Sequence, residues 1–419
     1  TGNNITFISD TGNLGVVDDQ ASSIDSGKLT KLFTGELEDK DGFLEKLASA
    51  RAGDVTWGNE NITIKRTTPV SVKLNGDNGT VTVENSSGGT PVAKHIYLLA
   101  KDSVLNADEF AANDLRLSGQ EGINVGSVTG DKIILEGGSG DIGHKVNDAL
   151  QAVQVTLTNN GYISANATGN IKLQQAVNNT VDFTLGSVAG TNVDITANGN
   201  IVSKADDIGY INASDTINLV SAGGIGTTTK GLRIKNSGAV VNTNVQDAVN
   251  IEAVQDGTLI LGTIEQTKGG VTVESEGTIM LGREDDANTE DINESVTGSI
   301  DAKDDVTLHA EDDIIISGKL HVNATDNDTA SDNGTLQLHS NTGDIVQTTD
   351  EKGNNIVAAN VGIAAVGGDV ELDNPYNIIK KVDLQAVGGS LGLTVSNPDG
   401  FNVDMGGFTN KQGGDINLT

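Results

Sequence analysis

GTLQL at Gly334–Leu338 and GGDVEL at Gly367–Leu372 are two copies of one phrase. Each is a Gly or Asp turn followed by an apolar–polar–apolar triplet. The phrase also stands as GNIKL at Gly169–Leu173, DTINL at Asp215–Leu219 and GTLIL at Gly257–Leu261. It recurs as GTIML at Gly277–Leu281, DDVTL at Asp304–Leu308 and GGDINL at Gly413–Leu418. One triplet is a strand too short to bury anything alone. Units of this kind become stable by stacking on their neighbours, so the phrase predicts a solenoid rather than a globule.

The composition points the same way. Aromatics are 3% of the chain and Gly is 53 residues, whereas globular cores lean on large aromatic side chains. Val, Ile, Leu and Ala carry the apolar content, which suits thin stacked layers. Pro, which cannot donate to a strand ladder, is held to 4 residues. The net charge of −32 disfavours nucleic acid and anionic membranes as partners, because both demand a basic surface. It reads first as a solvated coat that keeps molecules apart, with divalent cations as counter-ions. With no cysteine, disulfides and Cys-ligated metals are excluded. No apolar run reaches the roughly 18 residues of a membrane-spanning helix. The chain starts at Thr1 and stops directly after a phrase, which suggests a processed chain or a piece of a longer one.

From about residue 160 onward, period-two alternation recurs, as in Val193-Asp194-Ile195, Val271-Thr272-Val273 and Val382-Asp383-Leu384. Gly, Asn, Asp, Ser and Thr fill the spacers. Two acidic stretches without apolar pattern, Arg283–Ser299 and Asp326–Gly334, are expected to project from coil corners. The first 160 residues are less regular. Strand signals stand at Ile5–Ile8, Val81–Val83, Ile96–Leu99 and Lys132–Leu135. Helix-like spacing of Leu29, Leu32, Phe33, Leu37, Phe43, Leu44 and Leu47 predicts a helical insertion over Ser26–Arg51. Short helices are also expected at Ala107–Asn113 and Val146–Val153. The organisation expected is thus an irregular β region over 1–84, with its helical insertion at about 26–51, continuous with a rod over 85–419. At about 20–25 residues per coil and about 4.8 Å per rung, the rod would be on the order of 80–100 Å long.

The repeated phrases, the Ile96–Leu99 strand and Val366–Leu372 resemble the filamentous-haemagglutinin-like exoproteins of two-partner secretion. Asn374-Pro375-Tyr376-Asn377, followed by Ile378–Leu384 and Gly388–Leu393, is similar to a recurrent segment of those adhesins. The resemblance spans about residues 85–419 and is one of repeat style. The NPNG- or NPNL-type motif of the family's secretion domain does not occur here, nor does an autotransporter barrel, which leaves the export route open. The resemblance implies an all-β, right-handed parallel β-helix (a solenoid), carrying the short helical insertions in the first 160 residues. It also implies an extracellular place on a Gram-negative-type cell surface, with adhesion or aggregation as the activity. The partners implied are a glycan or protein on a host or neighbouring cell, other copies in fibres, and an outer-membrane transporter during export.

Chemistry is sparse in the sequence. Carbohydrate-active β-helices need converging acids and aromatic platforms. The acid pairs Asp206-Asp207, Asp304-Asp305 and Asp312-Asp313 are candidates, but Trp57 is the one Trp. Each pair reads more simply as a coil corner, and the chain is expected to be non-enzymatic. Leu308-His309, Leu320-His321 and Leu338-His339 would place three imidazoles on one face if their strands stack in register, which would suit a metal. For calcium, the acidic loops offer Glu284, Asp285, Asp286, Asp326, Asp328 and Asp332, without an EF-hand pattern. Asn-x-Ser/Thr sequons such as Asn166, Asn212 and Asn323 are potential glycosylation sites. The leading expectation is a secreted adhesin, stalk or fibre. A surface-layer or filament subunit and a carbohydrate-active enzyme are the alternatives.

Overall fold

A computed structural model describes residues 93–419 apart from 205–208, 284–295, 325–329, 331–332, 349–352, 398–401, 406–408 and 411–414. Before residue 93 it describes Asn4–Ile8, Val16–Asp25, Val55–Trp57, Asn61–Thr68, residues 70–73 and Thr80–Glu84. The described residues are all-β, with no helix among them, and most of their strands belong to one large parallel sheet.

The sheet grows by steps along the chain. Ile171 pairs with Val193, Val193 with Ile217 and Ile217 with Val241. The column runs on through Leu261 and Leu281 to Ile316. Traced backwards it passes through Ile142 and Ile123 to Leu105. Every residue of this column is at most 2% exposed. Parallel strands stack identical faces one rung apart, so an apolar residue at each rung makes a continuous buried spine. Burying a Val, Leu or Ile side chain contributes about 1.5–3 kcal/mol, and here each rung adds one. The strand Val271–Ser275 shows the alternation that makes this possible, with Val271, Val273 and Ser275 inside and Thr272 and Glu274 outside. Two phrase glycines are needed for their backbone: Gly257 and Gly334 have φ of +135° and +110°, where a side chain would be strained. The largest side chains of the core, Phe110 and Phe183, are fully enclosed.

The ladder keeps its register across the two acidic stretches. On either side of the first, Arg283 and Val296 form an antiparallel bridge, with reciprocal backbone hydrogen bonds of 2.8 and 2.7 Å. The strand Ser299–Ala302 then resumes in parallel register on Thr263–Glu265. After the second, Thr335–Ser340 returns to the register of Val306–Ala310.

The amino-terminal strands are arranged differently. Val16–Asp25 and Val55–Trp57 flank Asn61–Thr68 in a three-stranded antiparallel sheet. Asn4–Ile8 pairs in parallel with Thr80–Glu84, and Val70–Val72 joins the large sheet beside Ala93–Ala100.

Two expected helices are strands. Ala107–Asn113 lies inside the strand Leu105–Gly119, where Ala107, Phe110 and Ala111 pair with Val125, Val128 and Thr129. A whole neighbouring strand offers the backbone its hydrogen bonds and buries Phe110, which outweighs the local helical spacing. Val146–Val153 is a hairpin: Asn147 and Asp148, with φ of 50° and 63°, turn Ile142–Val146 back onto Ala149–Gln151. Positive φ at both central residues matches the twist of a two-residue hairpin, and Asn and Asp tolerate it. The helical insertion expected over Ser26–Arg51 lies outside the described residues.

Candidate functional site

The polar residue that opens the phrase does more than turn the chain. Asp313 Oδ1 accepts the backbone N–H of Asp344 at 2.7 Å, one rung on. Asp344 Oδ1 accepts the N–H of Asp369 at 2.7 Å, and Asp369 Oδ1 that of Ser390 at 2.6 Å. Asp141 holds the N–H of Asn170 in the same way, Asn200 that of Gly224 and Asp305 that of Thr335. Each acid or amide therefore satisfies a corner donor of the next turn. Hydrogen bonds to a charged acceptor are among the stronger ones. Two of the three candidate acid pairs are occupied by this work. Asp305 and Asp313 bind backbone amides, and Asp312 accepts from Thr342 Oγ1 at 3.1 Å. Asp206-Asp207 lies outside the described residues.

Outward positions build ladders of their own. Lys172 Nζ lies 3.1 Å from Asp194 Oδ2, and Asn218 Nδ2 donates to Asp194 Oδ1 at 2.7 Å. Asn242 Nδ2 donates to Asn218 Oδ1 at 3.0 Å, and Asn242 Oδ1 accepts from Thr263 N–H at 2.9 Å. Beside it, Asn192 Nδ2 donates to Asn170 Oδ1 at 2.8 Å. A polar network around Asn377 is internal. Asn377 Oδ1 accepts the N–H of Ile356 at 2.8 Å, and its Nδ2 donates to Gln347 Oε1 at 2.8 Å. Asn355 Nδ2 donates to the carbonyl of Tyr376 at 2.7 Å. Asn374, Asn377, Gln347 and Asn355 are all buried, so this segment trades apolar rungs for amides that pair with one another.

The three Leu-His pairs do not share a face. His309 and His339 are register partners with ring centres 4.6 Å apart. His321 pairs instead with Asp301 and Val357 and is 1% exposed. Its Nε2 has no hydrogen-bond partner among the described residues. Burial, aided by the positive charge of Lys319, pushes its pKa down to about 4 against the weaker opposing pull of Asn355 and Asp301. Asp301 is itself half-buried, which raises its pKa. Lys303 at 2.6 Å and Lys319 at 3.3 Å outweigh that and hold the carboxyl below its usual value.

Glu284, Asp285, Asp286, Asp326, Asp328 and Asp332 all lie outside the described residues. Among the described residues no three His, Cys, Asp or Glu side chains converge as a metal site. A shallow open depression of about 310 Å³ is lined by small residues such as Thr168, Gly190, Thr191, Asn212 and Ser214, none of them titratable. No described helix is long and apolar enough to cross a membrane. The chain matches no family model, no curated protein and no solved structure.

The sequence reading did not find the corner acids' role as caps. The signal was in the phrase, whose Asp stands directly before the apolar triplet. Its partner, however, is an amide 21 to 31 residues further along, at a distance that varies along the chain.

Proposed function

We propose that this chain is the rod of a secreted, non-enzymatic cell-surface adhesin, stalk or fibre, coiled as a right-handed parallel β-helix. The observation that supports it most is the buried column from Leu105 to Ile316, which keeps its register while coils lengthen and shorten around it. Successive in-register steps give the chain one direction of growth, as in a solenoid. Corner acids and amide ladders tie each turn to the next, which suits a structure that must resist bending and pulling. The net charge of −32 keeps neighbouring rods apart. The resemblance to filamentous-haemagglutinin-like exoproteins supplies the cell-surface and adhesive part of this reading. A surface glycan or protein of a neighbouring or host cell is the partner it implies, with projecting segments as the contact.

Small-angle scattering of the purified chain tests the rod, and a cell-adhesion assay tests the activity. An elongated profile and adhesion blocked by soluble chain are expected. A compact profile contradicts the rod, and cells that adhere equally well in excess soluble chain contradict the adhesin.

A further inference from the structure

We infer that His309 and His339 form a transition-metal site on the outer face of the sheet, with two imidazole ligands and water completing the shell. The two residues occupy the same position of the phrase, in DDVTLH and GTLQLH, and register places them on adjacent rungs. Both are half-buried and their ring centres are 4.6 Å apart. An imidazole nitrogen about 2.1 Å from a metal puts its ring centre about 3.2 Å away. Two such rings at a nitrogen–metal–nitrogen angle of about 90–110° have centres about 4.5–5.2 Å apart, so the spacing that adjacent strands impose on the pair also accommodates a shared metal.

The surroundings prepare one ligand for the role. Asn341 Nδ2 donates to Glu311 Oε2 at 2.7 Å, which leaves Asn341 Oδ1 as an acceptor. That oxygen lies 3.0 Å from His339 Nε2, so Nε2 carries the proton and donates. The lone pair of His339 is then at Nδ1, free to bind a metal. A carboxylate–amide–imidazole chain of this kind fixes the tautomer, as outer-shell partners of metal-bound histidines do. Glu274 is the register partner of His309 on its other side and adds negative potential to the column. Ala364, beyond His339, adds no bulk. Imidazole favours zinc, copper and nickel over calcium and magnesium, which prefer oxygen. The site does not depend on the adhesin reading.

Titration of the full chain with Zn2+ by calorimetry, and with Cu2+ by electron paramagnetic resonance, tests the site. Expected are one Zn2+ per chain and a copper spectrum with coupling to nitrogen. Both should weaken at least tenfold in His309→Gln and in His339→Gln, and stay unchanged in His95→Gln. Because both positions face outward, circular dichroism and melting temperature should be those of the wild type, which separates loss of ligands from loss of fold. Absence of zinc binding, or binding equal to wild type in either variant, overturns the assignment.

Discussion

The stretch Ile163–Leu281 and the stretch that follows it are built on the same ladder with different lengths of chain between rungs. In the first, Ile195 pairs with Leu219 and Leu261 with Leu281, 24 and 20 residues on. In the second, Leu281 pairs with Ile316 and Ile314 with Ile345, 35 and 31 residues on. The first pairs Asn218 and Asn242 on its outside, whereas the second carries two neighbouring imidazoles tilted 50° to each other and three consecutive aspartate caps. Register therefore does not depend on how long a coil is. It is held by what sits inside each rung and by what caps each corner. Loop closure grows only slowly more costly with length, so a coil can absorb an insertion for a fraction of a kcal/mol.

The largest effect is expected in the second stretch, at the internal amides around Asn377. Asn377→Ala leaves the buried N–H of Ile356 and Gln347 Oε1 without partners. A loss of about 1–3 kcal/mol per orphaned group is expected in denaturant melts. An unchanged midpoint would mean that the network contributes nothing to holding the register.

Acid should act on the second stretch through His321. Its folded pKa of about 4 lies below its ordinary 6.5, so between these values the unfolded chain binds the proton and the native chain does not. Its contribution is fully present above about pH 6.5 and is lost as pH falls towards 4. The variant His321→Leu should flatten that part of the stability–pH curve, and a slope equal to wild type would show that His321 stays neutral for no thermodynamic reason.

The corner caps should matter less. Asp344→Ala removes the acceptor for Asp369 N–H and should cost about 1 kcal/mol, while Asp344→Asn retains most of the bond. Equal losses in the two variants would point to charge rather than capping. The smallest effect is expected from the insertion. Replacing residues 285–294 by a short Gly-containing turn, with the Arg283–Val296 bridge kept, should shift stability by less than about 1 kcal/mol. A large loss would mean that the projecting segment is part of the ladder.

Much of the sheet was legible from the phrase, because period-two apolar triplets report which side chains face inward whatever they pair with. The stacking of His309 on His339 was legible too, since both follow the last residue of a phrase triplet. His321, in Lys319–Val322, follows no such triplet and lies on another ladder. What escaped was the state of short segments beside a longer partner. Ala107–Asn113 has helix-like spacing, and only the strand Ile123–Gly138 beside it decides otherwise. Asn147-Asp148 was a readable hairpin signal that the apolar residues around it obscured. The aspartate of the phrase was visible but its capping partner was not, because that partner is a backbone amide of the next rung of the ladder.

The in-register ladder itself is tested most directly by pairwise cross-linking, which the absence of native cysteine makes clean. Asn218 and Asn242 are register partners on adjacent rungs, whereas Lys172 and Asn218 are two rungs apart through Asp194. One rung is about 4.8 Å, within disulfide reach, and two rungs are about 10 Å, beyond it. Asn218→Cys with Asn242→Cys should therefore close an intramolecular disulfide on mild oxidation, and Lys172→Cys with Asn218→Cys should not. Failure of the first pair, or equal closure of both, would contradict the ladder.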